Sequence, residues 1–236
     1  MAIHIHPTAD LAERALLPGD PGRALLLAQA LLAEPRMFNH NRGLWGYTGT
    51  AADGEPLTIQ STGMGGPSAA IVMEELCGLG LRRAVRVGTC GALEPRSGRS
   101  PLTSSEGPGG LALGDLVVAR EALATDGASR ALGAGTRIAA PGGLSVDGRE
   151  GLVVSTDLFY DPDPAREDAW REAGAVAVEM ETAALFAVGA RRGVEVAAVL
   201  AVTDLVGPPR QRIDDEGLVA ASERVGRAGA AALGAV

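Results

Sequence analysis

Lysine is absent from this sequence of 236 residues, so all 21 basic side chains are arginine. That excludes chemistry built on a lysine amine, including Schiff-base formation and a Walker-type phosphate loop. Any anion recognised here must be held by arginine forks and backbone amides. Aromatic residues are scarce at 3%. The two cysteines, Cys77 and Cys90, have neither metal-type nor redox-type spacing, so no zinc site or disulfide framework is expected. No apolar run approaches the roughly 20 residues of a membrane span. Residues 1–10 carry no basic-then-apolar leader pattern, and a cytoplasmic setting is expected. The net charge of −8 argues against nucleic acid or an anionic membrane as partner.

What remains is a chain that is 46% hydrophobic, long enough for one large core and read as a single domain. Short apolar runs repeatedly end in a turn and enter a helical pattern. Residues 14–17 lead through Pro-Gly-Asp-Pro-Gly into a helix at 23–32, and 57–61 lead through Gly-Met-Gly-Gly-Pro into 68–79. Residues 84–87 run into Gly-Thr-Cys-Gly, 174–178 precede a helix at 182–190, and 194–202 end at Thr203-Asp204. This alternation indicates an α/β fold with a largely parallel sheet, in which ligands bind beyond the carboxyl ends of the strands. Residues 95–110, rich in Pro, Gly and Ser, read as a flexible insertion, and residues 125–151 show no helical period.

The most informative motif is Glu179-Met180-Glu181, two carboxylates between an apolar strand and an apolar helix. Acids there need partners or a task, and a carboxylate can accept two hydrogen bonds from a vicinal diol. The bland reading is an acidic helix N-terminus. Pro18-Gly19-Asp20-Pro21-Gly22-Arg23 offers close backbone approach, helix amides and an arginine, or else an ordinary turn. Arg86 sits within a β-branched run, where it calls for an anion unless it faces solvent, and Thr89 could add a hydroxyl just past the strand end. Met64 is a flexible lining residue or core, and Phe159 a base-stacking platform or core. Asp204, ending an apolar strand, suits a general acid or a helix N-cap.

Taken together, residues 17–23, 41–49, 61–68, 86–92, 155–160, 178–186 and 201–204 resemble the nucleoside phosphorylase family, and within it the bacterial purine branch. The resemblance implies a three-layer αβα domain with a mixed, largely parallel central sheet. It implies phosphate held by Gly19, Arg23, Arg86 and Thr89, with Arg42 lent to a neighbouring subunit. It assigns the ribose to Met64, Met180 and Glu181, with His4 reaching across from a neighbour. The base would lie against Gly91, Phe159, Val178 and Glu179, with Asp204 protonating the purine. Sites shared across a dimer imply a homo-oligomer, a trimer or hexamer, and inorganic phosphate as co-substrate without metal or organic cofactor. In three places the sequence departs from the family pattern. The family's helper arginine is missing near Gly217, leaving Arg210 or Arg212 as substitutes; residues 119–155 are short and lack a helix; and 95–110 is inserted. Uridine phosphorylase is the main alternative, but its Gln and Arg base readers correspond here to Asp163 and Ala165, which favours purine. A nucleosidase would not need Arg23, Arg42 and Arg86, and a silent nucleoside-binding relative would keep the pocket without turnover.

Overall fold

The computed structural model of the protein describes residues 2–93, 110–207 and 209–236. The insertion expected at 95–110 therefore lies outside the described residues except for Gly110. The chain runs β1 (Arg14–Leu17), α1 (Pro21–Leu31), β2 (Ala33–Asn39), a 3-10 turn (Asn41–Gly43), β3 (Gly46–Thr50), β4 (Pro56–Gln60), α2 (Gly66–Gly78) and β5 (Arg83–Leu93). It continues through β6 (Leu116–Ala124), α3 (Gly127–Ala131), β7 (Arg137–Ala139), β8 (Arg149–Ser155), α4 (Ala165–Glu172), β9 (Ala175–Glu179), α5 (Thr182–Arg192), β10 (Glu195–Val206), β11 (Gln211–Arg212) and α6 (Asp215–Ala232).

The strands obey the period of two. Ala15 and Leu17 of β1, Ala84 of β5, and Val196, Ala198, Leu200 and Val202 of β10 face one core, shared with α2 and α5. Leu16, Val85, Val87, Ala197, Val199 and Ala201 face the other, shared with α1 and α6. Strands buried on both faces read as continuous apolar runs, and helices cover both sides as the αβα expectation requires. In the parallel centre, β1 lies between β4 and β5, and β5 pairs with β10. The antiparallel β2–β3–β4 meander extends one edge.

The sheet also closes on itself. β10 pairs with β6, β6 with β8, β8 with β9, and β9 returns antiparallel to the far half of β5. Two strands are longer than the sequence reading gave them. β5 runs through Thr89 to Leu93, and β10 runs through Asp204 to Val206. The glycines and polar residues that mimic a strand end in sequence are paired here by non-local partners. Residues 125–151, read as showing no helical period, hold the short α3, with Asp126 capping the Ser129 amide at 2.7 Å. Five residues are too few to display a helical period.

Close approach of α6 depends on Gly229. A Cβ there would lie 2.5 Å from Val87 Cγ1 and 3.0 Å from Leu16 Cδ2. Gly229→Val should overpack this face and cost about 1–3 kcal/mol, read as a lower urea midpoint with an unchanged slope. An unchanged midpoint would show that α6 can lift off the sheet freely.

Candidate active site

A cavity of about 850 Å³ opens where the turns after β1 and β4, the outer half of β5, the loop after β8, the β9–α5 junction and the end of β10 converge. Twelve of the fourteen residues singled out from sequence line it: Gly19, Arg23, Met64, Arg86, Thr89, Gly91, Phe159, Val178, Glu179, Met180, Glu181 and Asp204. His4 and Arg42 do not.

Arg86 organises one end. It shares parity with Ala84, so it points toward α5 from within the sheet, and it is 3% exposed. Its Nη2 donates to Glu181 Oε2 at 2.5 Å and lies 2.9 Å from Glu179 Oε2. Burial pulls the guanidinium down, but Glu181 and Glu179 outweigh it and hold it above its ordinary value. Its Nε and Nη1 have no partner among the described residues, a costly state for buried donors that an oxyanion in the cavity would relieve. Arg23 joins it, its Nε donating to Ser222 at 3.2 Å and its backbone amide to the capping Asp20 at 2.7 Å. Burial lowers the Arg23 guanidinium, Arg86 adds to that, and Asp20 opposes it. The two turns are tied together, with the Gly63 amide donating to the Gly19 carbonyl at 3.0 Å.

Gly88 is part of this arrangement although the sequence did not single it out. A Cβ there would lie 2.8 Å from Cζ and Nη2 of Arg86, so the guanidinium folds back over a bare Cα. Glu179 and Glu181 then divide the work at the N-terminus of α5. Glu179 accepts from the amides of Glu181 and Thr182 at 2.9 and 3.0 Å and from the Ser155 hydroxyl. Its carboxylate thus serves the wall of the cavity. Glu181 accepts from the Gly65 amide at 2.5 Å and from Arg86, which leaves further lone pairs for a ligand.

Asp204 marks the other end. The register of β10 against β5 shifts between Val202 and Asp204, and this bulge sets Asp204 opposite Gly91. Asp204 Oδ2 accepts from the Thr203 hydroxyl at 3.0 Å. Its Oδ1 lies 3.2 Å from Arg210 Nε and 3.1 Å from Arg212 Nε. Both arginines left open by the sequence reading therefore reach the acid. β11 accomplishes this by pairing Arg212 across from Asp204. Phe159 stands half-exposed on the loop after β8, with Arg210 Cζ 4.8 Å from its ring centroid. Met64 is exposed. Asp163 Oδ1 accepts from the Ala165 amide at 3.0 Å, and Arg166 is bound to Asp161 at 2.9 Å.

Neither His4 nor Arg42 lines the cavity, although Gly43 and Leu44, next to Arg42, do. Glu75 accepts from the amides of Ile3, His4 and Ile5 at 3.0, 2.9 and 2.7 Å and bonds the His4 ring Nδ1 at 2.7 Å. Asn41 Nδ2 donates to the His4 carbonyl at 2.8 Å, tying this segment to the turn in which Arg42 adopts a φ of 58°. Ser155, Ser222 and Glu75 were missed from sequence because each acts through a partner distant in the chain.

A sequence model described as the phosphorylase superfamily matches residues 13–236. The chain is 34% identical over 220 residues to a purine nucleoside phosphorylase DeoD-type of Caldanaerobacter subterraneus subsp. tengcongensis, covering 86% of this chain and 88% of that protein. It is 36% identical over 207 residues to the protein of the same name from Geobacillus kaustophilus, covering 86% of each. A solved uridine phosphorylase from Vibrio fischeri superposes with a TM-score of 0.81 at 25% identity, covering 99% and 98% of the two chains.

Millimolar phosphate should raise the melting temperature of the wild-type chain, and Gly88→Ala, which would displace the Arg86 guanidinium, should abolish that rise. An undiminished rise would separate Arg86 from anion binding. Four N–H donors hold Glu75 at about 2 against burial, which acts upward. A carboxyl lowered in this way contributes stability above its unfolded value near 4.5, and that contribution is lost as pH falls through about 2. Protection of the Ile3, His4 and Ile5 amides relative to their intrinsic exchange rates should accordingly fall across that window in wild type, while in Glu75→Gln protection should already be low at pH 6.

Proposed function

The chain belongs to the phosphorylase superfamily, and from that premise we propose that it cleaves the N-glycosidic bond of purine nucleosides with inorganic phosphate, yielding free base and ribose 1-phosphate. The observation that carries this reading is Arg86, buried on the cavity wall with two guanidinium nitrogens that have no partner among the described residues, beside Arg23 and across the cavity from Asp204. Phosphate would sit against Arg86, Arg23, Thr89 and the Gly19 turn. Glu181 would take the ribose hydroxyls, with Met64 and Met180 packed on the sugar. The base would lie against Phe159, Gly91 and Val178.

In the reaction, the C1′–N9 bond lengthens and its electron pair passes into the purine ring. Positive charge builds on the ribose near Glu181, and a phosphate oxygen closes on C1′ to form the new bond. A proton carried by Asp204 passes to N7, so the base departs neutral. Arg210 and Arg212 hold the carboxyl in place for that transfer. The chain supplies positioning and electrostatics and needs no covalent intermediate.

The names of the relatives at 34% and 36% identity support the purine reading. So does the lack of an amide and guanidinium pair at Asp163 and Ala165. Uridine phosphorolysis is the second reading, favoured by the likeness to the Vibrio fischeri structure. We further assign His4 and Arg42, whose segments are tied by Asn41 and neither of which lines the chain's own cavity, to the site of a neighbouring copy. A dimer is then the smallest competent unit, within a cytoplasmic trimer or hexamer.

Chromatography of bases released from inosine, adenosine and uridine, with and without phosphate, tests the proposal. Purine release that requires phosphate is the expected result. Uridine turnover alone would move the chain to the pyrimidine branch, and release without phosphate would make it a hydrolase. Asp204→Asn should reduce kcat/KM for adenosine by about 100-fold or more, the size of a lost general acid, and reduce inosine far less. Equal losses on both would remove the assigned proton transfer.

A further inference from the structure

At the base end of the cavity two arginines meet one acid, one more than holding that acid in place calls for. Asp204 is a single carboxylate, and its Oδ1 is shared by the Nε atoms of Arg210 and Arg212. The two arginines are not equivalent. Arg212 lies on β11, is largely exposed and does not line the cavity, so it braces the acid from outside. Arg210 lines the cavity, and its guanidinium is fixed on two sides, by Asp204 and by the Phe159 ring 4.8 Å away. Its Nη1 and Nη2 have no partner among the described residues. The other arginine on this side, Arg166, is differently placed. Asp161 at 2.9 Å and Asp163 at 3.7 Å already neutralise it.

On a purine, N7 and the substituent on C6 are neighbours on one edge. Guanine and hypoxanthine present two acceptors there, N7 and O6, whereas adenine presents an acceptor and an amino donor. Guanidinium is a donor only and cannot accept from an amino group. An acid delivering its proton to N7 brings whatever is hydrogen-bonded beside it to the 6-position.

We propose that Arg210 is the specificity-determining residue of this site, donating through its free terminal nitrogens to O6 and selecting 6-oxopurine over 6-aminopurine nucleosides. The inference rests on the purine reading above and extends it to the substrate class. Arg210 and Asp204 then serve different substrates from one hydrogen-bonded pair. The arginine recognises an oxygen at C6 and stabilises the charge that gathers there as the glycosidic bond breaks. The acid is indispensable where the 6-amino group leaves N7 as the site that must be protonated.

The test compares kcat/KM for inosine and adenosine in wild type, Arg210→Ala, Arg210→Gln and Arg212→Ala, with melting temperatures recorded for each. Wild type should prefer inosine. Arg210→Ala should lower the inosine-to-adenosine ratio by about 10- to 100-fold, the size of one charge-assisted hydrogen bond. Arg210→Gln, which keeps an amide donor, should lower it less. Arg212→Ala should lower both substrates together and leave the ratio where it was. Calorimetric titration of free hypoxanthine and adenine gives a readout independent of turnover, in which Arg210→Ala should weaken hypoxanthine selectively. Equal losses on both nucleosides with unchanged relative base affinities would overturn the proposal and reduce Arg210 to a brace for Asp204. A wild-type preference for adenosine would overturn it as well. Failure of the phosphorolysis reading would look different, as no phosphate-dependent purine release by wild type, and the base titrations would still decide the role of Arg210.

Discussion

A buried cluster of one arginine and two glutamates holds the site and the fold together. Arg86 reaches out of the sheet between Glu179 and Glu181 at the start of α5, and all three are at most 6% exposed. Buried charges are tolerated only when paired and hydrogen-bonded, and losing one member of such a group costs about 3–5 kcal/mol. The cluster cannot be separated from the architecture. α5 is buried continuously from Thr182 to Gly189, so its first amides cannot turn to water. Glu179 satisfies those of Glu181 and Thr182 while also lying against Arg86. The same carboxylate that lets an apolar helix start inside the core also fixes the cation of the cavity.

Charge balance gives the cluster its chemistry. Arg86 and Arg23 face Glu179 and Glu181, and Arg86 retains two donors without partners among the described residues. Those donors are already oriented, so an oxyanion entering the cavity would need little reorganisation to be held. Gly88 matters for the same reason, because its missing side chain is the space the guanidinium occupies. The distant end of the cavity repeats the theme with opposite bias, one carboxylate held by two arginines.

Strand β5 relates the two ends. It carries Arg86 and Thr89 toward one and Gly91 toward the other, opposite Asp204 on β10. Across those five residue steps, an extended strand rises roughly 16 Å, so the spacing of the site is set by backbone geometry rather than by flexible loops. Closure of the ring through β6, β8 and β9 brings the loop bearing Phe159 over the same mouth.

Much of this was legible locally. Apolar runs followed by Pro-Gly or Gly-rich turns and helical periods located β1, α1, β4, α2 and α5 within a few residues, because each depends on its own side-chain pattern. Glu179-Met180-Glu181 announced a charged junction, whereas the capping role of Asp20 emerged only with the start of α1. The lengths of β5 and β10 were not legible, since Gly-Thr-Cys-Gly reads as a strand end until β9 and β10 supply hydrogen-bond partners. α3 was too short to leave a period, and Ser155 and Ser222 act on residues 24 and 199 positions away. The choice between Arg210 and Arg212 was resolved as both only when β11 folded back on β10. By itself, then, the sequence determined which residues could hold an anion, bind a diol or give up a proton, because those capacities belong to side-chain chemistry. Which of them share one cavity, and in what order along it, was decided by pairing between distant strands, and that pairing leaves no mark on the local sequence.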